Sequence, residues 1–230
     1  MSPLSQIILL SGGLDSVVNL VMAREKGVVL LALTFDYGQR SAVREIGASR
    51  KICEELAITH RVIPLPWMQE TASSSLIQGK GEVPRLRKED LSDMEKTRKT
   101  ASAVWVANRN GVFVNIAAAI AESMAASMVV AGFNREEAET FPDNSRAFLN
   151  AVNASLAYST LSKVRVASYT LEMDKTEVVR AGLAHHAPFE EVWSCYHGGE
   201  KMCGVCESCL RLKRAVSGSD AEVRLKDRFS

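Results

Sequence analysis

Short β-type runs alternate with helical patterns along most of this 230-residue chain, and no other feature of the sequence limits its fold as strongly. The β-type runs cover residues 6–10, 28–34, 61–65, 112–115, 128–132 and 163–169. Between them, residues 16–25, 44–57, 116–126 and 145–161 place apolar side chains at helical spacing. Another helix is predicted from Asp174, where Asp174 and Glu177 form a capping-box pair, and it ends before Pro188. Strand, helix, strand in succession gives βαβ units. The predicted fold class is therefore α/β: a Rossmann-like parallel sheet of about five strands with helices on both faces. The stretch 116–126 is so rich in alanine that it must lie close against the sheet.

Composition narrows the partners. With 28 Lys and Arg against 27 Asp and Glu the net charge is +1, without the basic excess that phosphate-backbone binding leaves, so no stable nucleic-acid partner is expected. No apolar run approaches the roughly 20 residues needed to cross a bilayer. The apolar residues 7–10 lead straight into glycines without a basic flank, and a cytoplasmic protein with no membrane partner is expected. Residues 71–102 differ in composition, with three consecutive serines, two glycines and a mixed charge run. They read as a flexible insertion, solvated in preference to a lid. The expected division is a nucleotide-binding α/β domain over 1–185 and a C-terminal metal-binding segment over 186–230.

The turn after the first strand, Ser11-Gly12-Gly13-Leu14-Asp15-Ser16, carries the clearest chemistry. Two glycines let backbone approach an oxygen-rich ligand, free N–H groups at a helix start point toward it, and Ser11 and Ser16 add hydroxyl donors. Phosphate is the natural ligand, and Asp15 beside phosphate makes sense with a Mg²⁺ ion between them. The turn lacks the Lys-Ser/Thr pair of a Walker loop and the third glycine of the dinucleotide fingerprint.

Four of the five cysteines, Cys195, Cys203, Cys206 and Cys209, lie within 15 residues, spaced C-x7-C-x2-C-x2-C. Four thiolates close a tetrahedral shell at about 2.3 Å per zinc–sulfur bond, leaving no position for water, so the site reads as structural Zn²⁺. An iron–sulfur cluster is the rival, weakened by the absence of a Cys-Pro at the usual offset. Cys53, alone in a helical pattern, reads as a core residue.

The hexapeptide resembles the Ser-Gly-Gly-x-Asp-Ser signature of the PP-loop ATP pyrophosphatases, which adenylate a carbonyl oxygen with release of pyrophosphate. Further segments resemble the 7-cyano-7-deazaguanine synthase family within that group. They are Leu33-Thr34-Phe35-Asp36-Tyr37-Gly38-Gln39-Arg40, Arg109-Asn110, Gly132-Phe133-Asn134, Phe141-Pro142-Asp143, Lys175 and the segment from Ser194 to Cys209. The sequence departs from that family's pattern at Ser41, Ala107-Asn108, Glu137 and Asn144-Ser145.

The resemblance implies an adenine nucleotide alpha hydrolase-like fold and an ATP-dependent carbon–nitrogen ligase. Such an enzyme converts 7-carboxy-7-deazaguanine and ammonia to the 7-cyano product in queuosine biosynthesis, and is a homodimer. It implies Leu10, Ser11, Gly12, Gly13, Leu14, Asp15, Ser16, Thr34, Phe35 and Gly132 around ATP. Tyr37, Gln39, Arg40, Arg109, Asn134, Phe141 and Asp143 would surround the substrate, and Ser11, Asp15, Ser16, Arg109 and Lys175 would serve catalysis. Arg109 and Lys175 are suited to neutralising a carboxylate or phosphoryl group, and Asp143 to accepting from a guanine-like amine. Strand ends are where ligands bind in a parallel sheet, and Phe35, Arg109, Gly132 and the Phe141 loop are expected at or just after such ends. The alternatives are a divergent adenylating enzyme joining another acid or amine, a tRNA-modifying relative, and a nucleotide-binding module without activity.

Overall fold

A computed structural model describes residues 4–230. Five parallel strands form one sheet in the order β3-β2-β1-β4-β5: β1 (Leu4–Leu9), β2 (Gly27–Asp36), β3 (His60–Pro64), β4 (Met128–Val130) and β5 (Arg165–Ala167). Side chains alternate across it with the period of two that a strand imposes. Ile7, Leu31, Leu33 and Phe35 enter one core, while Ile8, Ala32 and Leu10 enter the other. Both faces are thus covered, and every strand pairs in parallel.

Helices α1 (Leu14–Lys26) and α2 (Ala42–Glu55) follow β1 and β2, and the short α3 (Pro66–Thr71) and α4 (Met94–Ala103) follow β3. Then come α5 (Arg109–Ser123) before β4, α6 (Arg135–Ala138) and α7 (Arg146–Ser159) between β4 and β5, and α8 (Lys175–Ala184), α9 (Glu207–Val216) and α10 (Asp220–Leu225) after β5. The expected capping box of α8 is present, Asp174 accepting from the Glu177 amide at 2.9 Å and Glu177 from the Asp174 amide at 2.8 Å. Cys53 is buried in α2, as a core residue should be. Among the described residues, no helix is long and apolar enough to cross a membrane.

One expected strand is absent. Residues 112–115 lie inside α5, which begins at Arg109 and ends three residues before the predicted helix end. A short Val-Phe-Val run does not distinguish a buried strand from a buried helix. Here the run continues into Ala117, Ala118 and Ala121, each 1% exposed or less, which let the helix backbone lie close to the sheet. Arg109 therefore sits at a helix start, not at a strand end. Because α5 precedes β4, its start still lies at the edge where the strands finish.

Residues 71–102 are built into the fold more than their composition suggests. Leu76 and Ile77 are buried, Arg40 donates from Nε to the Ser75 carbonyl at 2.9 Å, and Leu86 donates its amide to the Val205 carbonyl at 3.1 Å. Most of the charged run 85–99 is exposed.

The cysteine-bearing segment shares the core beneath α1, α2 and α8, to which Cys195, Cys206, Leu212 and Leu225 contribute. Phe189, fully buried there, fills the space left by Gly182 on α8, where a Cβ would lie 2.8 Å from its ring. Phe189→Ala is expected to cost about 3–5 kcal/mol, read from urea unfolding, because it removes a fully buried ring and leaves a cavity beside Gly182.

Candidate functional site

The chain winds outward from β1 in two directions, to β2 and β3 on one side and to β4 and β5 on the other. A crevice opens where the order reverses, beyond the ends of β1 and β4. The turn 11–16 lies there, and Gly132, just after β4, packs against it. A Cβ on Gly132 would stand 2.7 Å from the Ser16 amide nitrogen, so only glycine fits. Gly12 is left-handed (φ 74°), and its Cβ would meet Ala48 at 2.9 Å. Both positions permit close backbone approach, the property an anion turn needs.

The turn is braced from within. Ser16 Oγ donates to the Gly13 carbonyl at 2.9 Å and accepts from the Ser11 amide at 3.2 Å, and the Gly13 amide reaches Ser11 Oγ at 3.3 Å. The Trp193 amide donates to the Gly12 carbonyl at 2.9 Å, fastening the cysteine segment to the turn.

The resulting cleft has about 1260 Å³ of space, its open mouth included. Leu10, Ser11, Gly13, Leu14, Asp15, Ser16, Thr34, Phe35 and Gly132 line it, as do Tyr37, Arg109, Phe141 and Lys175. Phe35 stacks on Phe113 with ring centroids 4.2 Å apart, and Tyr37 leans on the same ring at 5.6 Å. Phe141 stacks on Trp105 at 6.2 Å.

Four expected site residues form a layer behind this wall. Gln39 donates to the Phe35 carbonyl at 3.0 Å and to Glu45 at 2.9 Å. Arg40 points to the insertion, donating to the Gly81 carbonyl at 2.6 Å. Asn134 donates to Asp15 Oδ1 at 3.0 Å while its own oxygen caps α6. The Asp143 carbonyl accepts from Asn110 at 3.3 Å, and its neighbour Asn144 faces the cleft. Gly12 lies under the turn, against α2.

The electrostatic centre is Lys175 Nζ, bound between Asp15 Oδ2 and Glu137 Oε1, the latter at 3.0 Å. Burial pulls the ammonium toward neutrality, but the two carboxylates outweigh it and raise its pKa. Burial also raises Asp15, against the pull of Lys175. Burial resists ionisation of Glu137 too, yet Lys175 and then Arg211 prevail and lower it. Across the cleft Arg109 donates to the Tyr37 hydroxyl at 3.3 Å; burial works against its charge, and Tyr37 and Asp143 more than offset it.

A second tier of charge holds these groups. Glu136 Oε1 accepts from Arg211 and Arg214, both at 2.5 Å. Arg211 also pairs with buried Glu207 at 2.7 Å, whose other oxygen accepts from Thr100 of α4 at 2.5 Å. The cysteine segment and the insertion thereby both brace α6, which carries Glu137.

Three of the departures from the expected pattern have local explanations. Asn108 adopts the left-handed conformation (φ 53°) that glycine would take, and asparagine tolerates it. Ser145 caps α7 through the Phe148 amide at 3.1 Å. Ser41 donates to Glu45 at 2.6 Å.

The cleft also contains residues the sequence did not single out: Glu45, Phe113 and Trp193. Phe113 was hidden in the misread strand. Trp193 and Tyr196 flank Cys195, and aromatic residues on either side of a metal ligand were a usable signal.

The four cysteine sulfurs all lie within 4.8 Å of one another. A tetrahedral shell with bonds of about 2.3 Å has edges near 3.8 Å, so the residues fit a single metal ion. Backbone amides point at the sulfurs as they do around thiolates: His197 and Cys203 donate to Cys195 at 3.3 and 3.4 Å, and Cys206 to Cys203 at 3.4 Å. The thiols of Cys206 and then Cys209, with those amides, hold Cys195 down to about 2, and Cys206 brings Cys203 to about 6. The hydrogen bonds that Cys206 and Cys209 give to Cys195, and then burial, raise those two thiols in turn, and a cation would free all four to ionise.

Arg211→Met should strand Glu136 and Glu207 without their common partner and cost about 3–5 kcal/mol at pH 7 in denaturant unfolding. Burial opposes ionisation of Glu136, but Arg214 and Arg211 outweigh it and depress its pKa. Its contribution is therefore complete above the ordinary carboxylate range and is lost as pH falls through the depressed value. The difference between wild type and variant should narrow below about pH 4.

The family model described as queuosine biosynthesis protein QueC matches residues 5–219. A 7-cyano-7-deazaguanine synthase of Pelotomaculum thermopropionicum is 54% identical over 210 residues, 91% of this chain and 95% of that protein. Its counterpart in Desulforamulus reducens is 49% identical over 92% of this chain and 93% of its own length. That of Bdellovibrio bacteriovorus is 47% identical over 95% of each. The chain belongs to the QueC family of queuosine biosynthesis proteins.

Proposed function

We propose that this protein is an ATP-dependent carbon–nitrogen ligase that makes 7-cyano-7-deazaguanine from 7-carboxy-7-deazaguanine and ammonia. The observation that carries the reading is extensive identity to synthases of that name, 54% over nine-tenths of the chain, joined to a braced glycine turn at the switch point of the sheet.

The turn 11–16 would hold the triphosphate by its amides and the Ser11 and Ser16 hydroxyls. The adenine would lie toward Thr34, Phe35 and Gly132. Lys175, kept charged by Asp15 and Glu137, would stabilise negative charge building on the phosphates as a carboxylate oxygen attacks the α-phosphorus. Arg109 would face the substrate carboxylate, and Tyr37 and Phe141 would supply apolar faces for the heterocycle, with Gln39, Arg40, Asn134 and Asp143 supporting that wall from behind. Ammonia displaces AMP to give the amide, and a second activation at the amide oxygen lets AMP leave with formation of the nitrile. No side-chain nucleophile enters this scheme, and positioning supplies much of the rate.

Asp15, the carboxylate of the turn, would hold Mg²⁺ together with the phosphates, and the ion would supply charge neutralisation there. Cys195, Cys203, Cys206 and Cys209 would hold one structural Zn²⁺ per chain, tying α9 to the segment that braces the turn. Family resemblance supports a homodimer with small-molecule substrates, the balanced charge supports the absence of a stable nucleic-acid partner, and the expectation of a cytoplasmic protein rests on the sequence's apolar runs.

With Mg²⁺-ATP, ammonium and the carboxy-deazaguanine, mass spectrometry should find the nitrile together with AMP and pyrophosphate. AMP formation without any deazaguanine product would mean another acid is the acceptor. Lys175→Ala should lower kcat/KM by about 10²–10³-fold. Elemental analysis should find one zinc per chain and no iron, and Cys206→Ser should lose the metal and unfold at lower temperature.

A further inference from the structure

Three carboxylates line the cleft, and only two have a cation. Asp15 and Glu137 share Lys175, whereas Glu45 makes no ion pair among the described residues. Its carboxylate is held instead by two neutral donors that are themselves buried, Ser41 Oγ at 2.6 Å on one oxygen and Gln39 Nε2 at 2.9 Å on the other. Gln39 is fixed in turn by the Tyr37 amide at 2.9 Å and the Phe35 carbonyl at 3.0 Å, so the carboxylate has one defined orientation. Each oxygen keeps lone-pair capacity beyond the bond it accepts. The residue also adjoins the phosphate turn, since a Cβ on Gly12 would lie 3.1 Å from the Glu45 carbonyl.

A charge withdrawn from water without a counter-ion is costly and is retained most readily where a ligand supplies one. Burial accordingly raises the proton affinity of this carboxyl, against the hydrogen bonds from Ser41 and Gln39 and the more distant charge of Arg109. Two of the three proposed co-substrates, ATP and the carboxylic acid, are anions. The third reaches the protein at neutral pH as ammonium, which has no lone pair and cannot attack until it loses a proton.

We propose that Glu45, fixed by Ser41 and Gln39 on the wall beside the glycine turn, is the ammonium-binding residue and the base that converts ammonium to ammonia. The inference rests on the ligase reading above. In the step, one ammonium proton passes to a Glu45 carboxylate oxygen and leaves a nitrogen lone pair. That pair forms the C–N bond to the adenylated carbonyl carbon, and the C–O bond to AMP breaks with its electrons departing on the AMP phosphate. The surplus proton on the new amide nitrogen is released to water, as is the proton on Glu45.

The test separates activation from amination. Pyrophosphate exchange into ATP, driven by the carboxylic acid without ammonium, reports adenylation alone; the ammonium KM of nitrile formation reports the second part. Glu45→Gln, nearly isosteric, should retain exchange while the ammonium KM rises by about tenfold or more and kcat falls. Glu45→Asp, which keeps the charge at shorter reach, should recover part of the loss, and Ser41→Ala, which only loosens the carboxylate, should raise the ammonium KM by a smaller factor. An unchanged ammonium KM in Glu45→Gln and Ser41→Ala would overturn the proposal. Loss of exchange with an increased Mg²⁺ requirement would overturn it too, assigning Glu45 to the metal–nucleotide complex. Failure of the wild type to catalyse exchange with this acid would instead overturn the ligase reading beneath it.

Discussion

The lysine ammonium held between Asp15 and Glu137 joins three segments that are remote in sequence: the turn after β1, the short helix after β4 and the start of α8. Without it both carboxylates would lose their cation, and they in turn hold the buried ammonium in its charged form. The cleft is therefore an electrostatic assembly, and its geometry depends on whatever holds those segments in place. Asn134 fixes Asp15 from one side, and Glu136, tied to Arg211 and Arg214, fixes α6 from the other.

That second tie gives the cysteine segment a part in the site that requires no chemistry at a metal. Helix α9 begins immediately after Cys206 and carries Cys209, Arg211 and Arg214 in succession. Holding the four sulfurs together fixes the helix, the helix fixes Glu136, and Glu136 fixes the backbone that presents Glu137. The Trp193 amide reaches the turn directly through the Gly12 carbonyl. Closed tetrahedral coordination suits such a bracing role.

Much of the architecture was legible because it is written in local spacing. The parallel sheet followed from alternation, the braced turn at the switch point from two glycines between serines after a strand, and the sulfur cluster from four closely spaced cysteines. The misread strand at 112–115 shows the limit of that method: three apolar residues carry no periodicity, and the alanines that make the segment a helix lie beyond them. Gln39, Arg40 and Asn134 could be located near the site but not sorted by layer, because the sequence does not say whether a polar side chain faces the cavity or the wall behind it. Glu45 was invisible for a related reason. Its significance lies in a missing counter-charge, and that property exists only once the surrounding elements have packed.

The central claim is that two successive adenylations remove the oxygens of a carboxylate. Substrate carrying oxygen-18 in both carboxylate positions tests this most directly, with the label followed into AMP and pyrophosphate by mass spectrometry. The account predicts one labelled oxygen in each of the two AMP molecules formed per nitrile, and none in pyrophosphate. Unlabelled AMP, with the label recovered in water or in pyrophosphate, would contradict it.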